Sequence, residues 1–132
     1  MISEIALDTS IIIPVFRNDP DLAIRFKTID SLYFPIPVIA EFHIGFLARK
    51  SSKESQKIKD AFDAFVSSGN TLDCNREVAL KYAEIEHFLR GNGSLIPQND
   101  IWIAACCINA NLPLATRDNH FQRIPGLKIE LW

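Results

Sequence analysis

Cysteine is scarce in this chain, and the way its few copies are spaced excludes two classes of protein. The three cysteines are Cys74, Cys106 and Cys107, an odd number with two of them adjacent in an apolar run. This pattern argues against a disulfide-stapled secreted fold and indicates a reducing compartment. Two cysteines separated by two residues do not occur anywhere in the sequence, so a structural zinc site is not expected.

Long apolar runs and an excess of one charge are also missing. No hydrophobic stretch is long enough to span a bilayer, and no basic segment followed by an apolar one stands at the N-terminus. We therefore expect neither a membrane protein nor a signal peptide, and we expect a cytoplasmic location. The formal net charge is −2, so binding to nucleic acid would have to come from a local basic patch.

The remaining composition is typical of one globular domain, which we expect to cover residues 1–132. Strands are predicted over residues 2–7, 31–36, 71–74, 112–116 and 128–132. Helices are predicted over residues 11–17, 21–29, 37–49 and 53–66, then from a cap at Asn75 to residue 89, and from about residue 100 to residue 109. The alternation of strands and helices predicts an α/β fold with a mainly parallel sheet.

Four carboxylates stand in or beside apolar segments, where acids are uncommon because an unpaired buried carboxylate is costly. Asp8 and Asp118 each follow a predicted strand, Asp100 opens the run Ile-Trp-Ile-Ala-Ala, and Glu41 lies between apolar residues of a predicted helix. The carboxyl ends of parallel strands meet at one edge of a sheet, so Asp8 and Asp118 can face the same crevice. A shared cation explains the whole group, and carboxylate ligands suit Mg²⁺ or Mn²⁺.

Each acid also has a purely structural interpretation. Asp100 can cap the helix that follows it, and Asp8 and Asp118 can be turn residues. Glu41 can form a buried salt bridge with an arginine. The candidate partners of Glu41 are Arg49 and Arg117.

Two groups of basic residues are candidates for contact with a phosphate backbone. Arg117 and Arg123 flank the last acid, and the guanidinium group fits phosphate well. A second cluster, which is either a solvated helix face or an RNA contact, comprises Arg49, Lys50, Lys53, Lys57 and Lys59. The histidines are not at metal-ligand spacing. His120 is close to Asp118 and is either a residue that supports this acid or an exposed turn histidine, and the second interpretation is favoured.

Several short motifs, spread over almost the whole chain, together form a recognisable pattern. They are Leu-Asp-Thr-Ser at 7–10, Ala-Glu at 40–41 with Gly45, Asp-Ile-Trp-Ile-Ala-Ala at 100–105, Thr-Arg-Asp-Asn-His-Phe at 116–121 and Gly-Leu-Lys-Ile at 126–129. Together they resemble a PIN domain, and in length and layout they resemble the VapC-like toxins of type II toxin–antitoxin systems. One departure is Ser10, which stands where the family often has Asn.

The resemblance implies a fold, an activity and a set of site residues. The implied fold is a three-layer α/β/α sandwich, and the implied activity is an Mg²⁺- or Mn²⁺-dependent ribonuclease. Asp8, Glu41, Asp100 and Asp118 match the catalytic, metal-binding acids of the family, with Ser10 and Thr116 as supporting hydroxyl groups. The implied partners are an RNA substrate, a cognate antitoxin protein and a second copy of the chain in a homodimer.

The leading hypothesis is therefore an endoribonuclease toxin that hydrolyses RNA by metal-activated water. A catalytically silent PIN scaffold that binds RNA or protein is the alternative, and it has no need of a divalent ion. A phosphatase or phosphoacceptor domain is disfavoured because Ser10 occupies the position where a second aspartate would be required. We expect an antitoxin segment to lie along residues 41–47 and the helix at 53–65, with a basic side chain at the four acids.

Overall fold

The computed structural model describes residues 2–132, and its strands form one parallel sheet. The strands are β1 (Glu4–Leu7), β2 (Ser31–Pro35), β3 (Asn70–Leu72), β4 (Leu114–Thr116) and β5 (Ile129–Leu131). Their order across the sheet is β3-β2-β1-β4-β5, and every neighbouring pair is parallel. The predicted α/β class with a parallel sheet is confirmed.

Helices connect the strands and complete a three-layer α/β/α sandwich. They are α1 (Thr9–Phe16), α2 (Pro20–Phe26), α3 (Ile36–Ala48), α4 (Lys53–Ser67), α5 (Arg76–Gly91) and α6 (Gln98–Ala110), with a short 3₁₀ helix at Asn119–Arg123. Within residues 2–132, no helix has both the length and the hydrophobicity needed to cross a membrane.

Helix α6 lies deepest of the helices, and its sequence explains why. Its residues from Ile103 to Cys107 are all buried, so the helix is apolar on nearly every side and must be covered on every side. Helix α5 packs against it, with the Tyr82 and Trp102 rings stacked at 4.2 Å between centroids. Burial of this run fixes the position of the first turn of α6, where Asp100 lies.

A second aromatic contact holds the helix that carries Glu41. The rings of Phe42 in α3 and Phe62 in α4 stack with their centroids 3.7 Å apart, and both residues are buried. Glu41 precedes Phe42 in the same helix. By fixing the rotation of α3 about its axis, this contact sets the direction in which the Glu41 side chain leaves the helix.

Some predicted boundaries were wrong for local reasons. Helix α1 begins at Thr9 and is capped by Asp8, whereas the predicted helix begins at residue 11. Helix α5 continues through Gly91, whereas the predicted helix ends at residue 89. Strand β4 starts only after Pro113, which has no backbone N–H to give to a sheet.

The order of the strands determines where a ligand crevice opens. Strand β1 lies at the centre of the sheet, with β2 and β3 on one side of it and β4 and β5 on the other. Leu7 is in register with Ala115, and the backbone N–H of Asp8 donates to the Ala115 carbonyl at 3.0 Å. The carboxyl ends of β1 and β4 therefore lie side by side at the point where the strand order reverses, which is the usual position of a binding crevice in such sheets.

Candidate functional site

Asp8 is the most deeply buried acid of the site, and two hydroxyl groups hold it in place. Its side chain lies directly after β1, and the residue is 4% exposed. One carboxylate oxygen, Oδ2, accepts hydrogen bonds from Thr116 Oγ1 at 2.7 Å and from Ser10 Oγ at 2.8 Å. Burial raises the pKa of Asp8, although the hydrogen bonds from Thr116 and Ser10 oppose the rise.

The same hydroxyl groups also bind the backbone that leads to Asp118. Thr116 Oγ1 accepts from the N–H of Asp118 at 3.0 Å, and Ser10 Oγ accepts from the N–H of Arg117 at 2.9 Å. Each hydroxyl has one proton, which it uses in its hydrogen bond to Asp8, so neither has a proton left to donate across the 3.3 Å between the two hydroxyl oxygens. Ser10 and Thr116 therefore couple the position of Asp8 to that of Asp118.

Asp100, Asp118 and His120 form the most compact group of possible ligands. Asp118 caps the 3₁₀ helix by accepting from the backbone N–H of His120 at 3.0 Å. The imidazole Nδ1 of His120 lies 3.2 Å from Asp118 Oδ1 and 3.4 Å from Asp100 Oδ2. One potential ligand atom from each of the three residues lies within 4.8 Å of the other two.

The pKa of Asp100 depends on the other three acids of the cleft. Burial raises its pKa to about 6, the hydrogen bond with His120 opposes this rise, and the charges of Asp8, Asp118 and Glu41 add to it. The interpretation of Asp100 as a helix cap is wrong, because α6 begins after Pro97 and Asp100 is its third residue. Its side chain is free to face the crevice.

Glu41 is held by an amide rather than by an arginine. Its Oε1 accepts a hydrogen bond from Asn99 Nδ2 at 2.9 Å, which joins α3 to the start of α6. The predicted salt bridge with Arg117 does not form, because the Arg117 guanidinium pairs with Asp19 at 2.9 Å and also donates to the Trp132 carbonyl at 2.9 Å. Among residues 2–132, Arg49 has no salt bridge with Glu41 either.

The four predicted acids line one open cleft of about 340 Å³. The complete lining is Asp8, Thr9, Ser10, Glu41, Pro97, Asp100, Asp118 and His120. In the part of the chain that the structure describes, neither predicted phosphate-binding arginine lines this cleft. Arg123 is exposed on the 3₁₀ helix, and Arg117 is engaged by Asp19.

The sequence interpretation gave too little weight to one residue of this cleft and missed another that binds one of its acids. His120 was expected to be an exposed turn residue without ligand spacing, but it is only partly exposed and its imidazole lies between two of the acids. Asn99 was not singled out, although it precedes Asp100. The one signal in the sequence was proximity to an acid, since each residue lies within two positions of a predicted ligand.

The chemistry of the donor set fits a divalent cation. Several carboxylates share one cleft, and their mutual repulsion contributes to the raised pKa of Asp100. Carboxylate oxygens suit Mg²⁺ and Mn²⁺, and an imidazole nitrogen in the same group is a better ligand for Mn²⁺ than for Mg²⁺. A bound cation would offset the repulsion that the apo site contains.

An apolar groove adjoins the acidic cleft. It lies between α1, α3 and α4, and its lining residues are Thr9, Ile13, Glu41, Phe42, Gly45, Phe46, Arg49, Ser55 and Ile58. Thr9 and Glu41 line both the groove and the cleft, so the two are continuous. In residues 2–132, Thr9 Oγ1 is the buried polar side-chain atom that has no hydrogen-bond partner, and it lies at this junction.

Comparison with known proteins gives one consistent result in sequence and in structure. The chain is 30% identical over 131 residues to Ribonuclease VapC1 of Haemophilus influenzae strain R2866, with 96% of each chain covered. It is 26% identical to VapC ribonuclease Y4jK of Sinorhizobium fredii, over 95% of this chain and 94% of that protein.

Solved structures agree with these relatives. A chain in the structure of VapBC-1 from nontypeable Haemophilus influenzae has a TM-score of 0.85 and 29% identity, and the match covers 100% of this chain and 98% of that one. A chain of VapBC2 from Rickettsia felis, solved bound to a DNA fragment from its promoter, has a TM-score of 0.82 and 28% identity, covering 100% and 99% of the two chains. The sequence profile of the PIN domain matches residues 5–127, and the chain therefore belongs to the PIN domain family.

Proposed function

We propose that this chain is a divalent-cation-dependent endoribonuclease and the toxin of a type II toxin–antitoxin pair. The observation that supports this proposal best is the cleft that brings Asp8, Glu41, Asp100 and Asp118 together at the strand-order reversal. Full-length similarity to proteins named as VapC ribonucleases supports the same activity.

In this proposal, Asp100, Asp118 and His120 hold Mg²⁺ or Mn²⁺ directly, and Asp8 and Glu41 complete the acidic site. When bound, the cation supplies charge neutralisation at the phosphodiester and activation of the attacking water. Asn99 orients Glu41, and Ser10 and Thr116 orient Asp8, so these polar residues act as positioning groups.

The two hydroxyl groups that hold Asp8 are positioning groups in this proposal rather than nucleophiles. Ser10 and Thr116 both donate their protons to Asp8, and Thr116 is completely buried. Water activated by the cation is the attacking group in this proposal, and the expected products carry a 5′-phosphate and a 3′-hydroxyl. A 2′,3′-cyclic phosphate would require attack by the ribose hydroxyl instead.

The RNA backbone needs cations, because the cleft itself is acidic. Arg123 is exposed near the site, and exposed side chains at the start of α4 and just before it are Arg49, Lys50, Lys53 and Lys57. We assign phosphate contacts to these residues. Arg117, which pairs with Asp19, contributes mainly through its backbone N–H to Ser10.

The apolar groove is the proposed site of the antitoxin. An apolar segment lying between α1, α3 and α4 would reach the acidic cleft at Thr9 and Glu41. A basic side chain at that end would pair with carboxylates in a charge-assisted hydrogen bond. The homodimer and the cytoplasmic location predicted from the sequence also belong to this proposal.

The experiment that tests the function is cleavage of a labelled RNA with and without Mn²⁺ or Mg²⁺. We expect wild-type cleavage with either ion and none in excess EDTA, and we expect Asp100→Asn and Glu41→Gln to lower the rate at least about 100-fold. Asp60→Asn is the matched control, because Asp60 is an exposed acid on α4 that does not line the cleft, and its rate should equal that of the wild type.

Three outcomes would contradict the proposal. Cleavage that persists in excess EDTA would show that the reaction does not require a divalent cation. A 2′,3′-cyclic phosphate product would show that water is not the nucleophile. A purified protein that binds RNA without cutting it under any ionic condition would instead support the silent-scaffold alternative.

A further inference from the structure

Two cysteines from distant parts of the sequence meet on the side of the fold formed by α5 and α6. Cys74 lies in the segment between β3 and α5, and Cys106 lies in α6, two turns beyond the turn that holds Asp100. Their sulfur atoms are 3.7 Å apart, which is a hydrogen-bonding distance for two thiols but is not a covalent bond. Cys74 is exposed, whereas Cys106 and the neighbouring Cys107 are buried.

We propose that Cys74 and Cys106 form an oxidation site that a hydroperoxide converts to an intramolecular disulfide. The Cys74 thiolate attacks the peroxide O–O bond, which gives a sulfenic acid and releases hydroxide or alcohol. The Cys106 sulfur then attacks the Cys74 sulfur, the S–O bond breaks, and the thiol proton leaves with the hydroxyl group as water. In total, two thiols and one hydrogen peroxide give one disulfide and two waters.

Exposure decides which sulfur reacts first. Burial raises the pKa of the Cys106 and Cys107 thiols, so both stay protonated and shielded at neutral pH. Cys74 is the cysteine within residues 2–132 that solvent reaches, and Cys106 is the sulfur next to it. This asymmetry matches that of an attacked cysteine beside a resolving cysteine.

The local structure permits the last movement. A disulfide has an S–S length of about 2.05 Å, so the sulfurs must approach by about 1.7 Å from their separation of 3.7 Å. Cys74 lies between the last residue of β3 and the Asn75 cap of α5, outside both elements. The required movement can occur in this connecting segment while α6 keeps its buried position.

The bond would join two cysteines 32 positions apart in sequence. It would link the start of α5 directly to α6, whose first turn carries Asp100. Closing a loop of this length restricts the unfolded chain, so the oxidised protein should be harder to unfold than the reduced one. This inference is independent of the proposed nuclease function.

The test is stoichiometric oxidation of the 132-residue chain by hydrogen peroxide, followed by thiol counting and mass spectrometry. We expect a loss of two of the three thiols and of about 2 Da, reversal by dithiothreitol, and a rise in Tm of about 5 °C or more. Tryptic peptides covering residues 60–76 and 91–117 should be linked under non-reducing conditions.

Three variants assign the bond. Cys107→Ser should form it as the wild type does, which identifies Cys106 within the 91–117 peptide. Cys74→Ser should retain both remaining thiols, and Cys106→Ser should stop at a sulfenic acid on Cys74, with circular dichroism confirming that each variant is folded. A wild-type protein that gains 16 or 32 Da without linked peptides, or that forms only intermolecular disulfides, would overturn the proposal.

Discussion

At the scale of single residues, the position of Asp8 depends on two hydroxyl groups, Ser10 and Thr116, which both donate hydrogen bonds to its carboxylate. Thr116 is fully buried, and its oxygen both donates to Asp8 and accepts from the N–H of Asp118. A side chain of the same shape without the oxygen would leave a buried acceptor and a buried donor incompletely satisfied.

Thr116→Val should therefore lower the free energy of unfolding by about 1–3 kcal/mol, as measured by urea denaturation. Thr28→Val is the matched control, because the Thr28 hydroxyl makes one exposed bond to the Arg25 carbonyl, and its change should stay within about 0.5 kcal/mol. Equal losses in the two variants would show that the buried hydroxyl has no special role.

Asp100 predicts how the stability of the metal-free protein changes with pH. Its pKa is about 6 in the folded protein, against an ordinary value of 3.8. Between these values the folded state holds a proton that the unfolded state has lost, so the free energy of unfolding falls as pH rises from about 4 to about 6. The raised pKa of Asp8 acts in the same direction.

The full shift of Asp100 corresponds to a loss of at most about 3 kcal/mol across that window. Asp100→Asn should remove most of the slope and should be more stable than the wild type at pH 7 in EDTA. Urea denaturation at several pH values measures both quantities. Identical slopes for the variant and the wild type would mean that the pKa of Asp100 is not raised in the folded protein.

At the scale of secondary-structure elements, two glycines have opposite surroundings. A Cβ on Gly69, between α4 and β3, would lie 2.7 Å from the Phe34 ring and 2.8 Å from the Leu32 carbonyl oxygen. A Cβ on Gly45, inside α3, would meet nothing within 4 Å. The first glycine permits close packing of a helix end on the sheet, and the second only weakens a helix.

Gly69→Ala should therefore lower the free energy of unfolding by about 1–3 kcal/mol, because a carbonyl oxygen of a central strand cannot move aside. Gly45→Ala should raise it by about 0.5–1 kcal/mol through helix propensity. Chemical denaturation of both variants is the measurement. Equal changes, or changes of the opposite sign, would contradict these contacts.

The elements were largely predictable because their periodicity and punctuation are local. The strand before Asp8 and the helix capped by Asn75 depend on a few neighbouring residues, and both were found. The exact start of β4 depends on Pro113, and α5 runs past its predicted end to the exposed Gly91. The pairing of β4 with β1, by contrast, joins segments from opposite ends of the chain. Contacts between distant elements are not visible in a window of sequence.

The same distinction applies to the site. The four acids were singled out because each is anomalous beside its apolar neighbours, and all four line the same cleft. His120 and Asn99 are ordinary in sequence, since a polar residue near a turn or a helix start needs no explanation. Only the three-dimensional fold places His120 between Asp100 and Asp118, and Asn99 against Glu41.

At the scale of the whole molecule, the parallel sheet and its reversal of strand order bring acids from four parts of the chain into one proposed cation site. A ligand that binds only the folded state stabilises it by about 2.7 kcal/mol at a concentration 100 times its Kd. Thermal unfolding with and without divalent ions therefore reports the site without depending on catalysis or on a known RNA substrate.

The most direct measurement is the shift in Tm between EDTA and saturating Mn²⁺ or Mg²⁺ for the wild type and for Asp8→Asn, Asp100→Asn and Asp118→Asn. We expect a clear rise for the wild type and for the control Asp60→Asn, and loss of most of that rise in each of the three site variants. If all three site variants respond to the ions as the wild type does, the four acids do not share a cation.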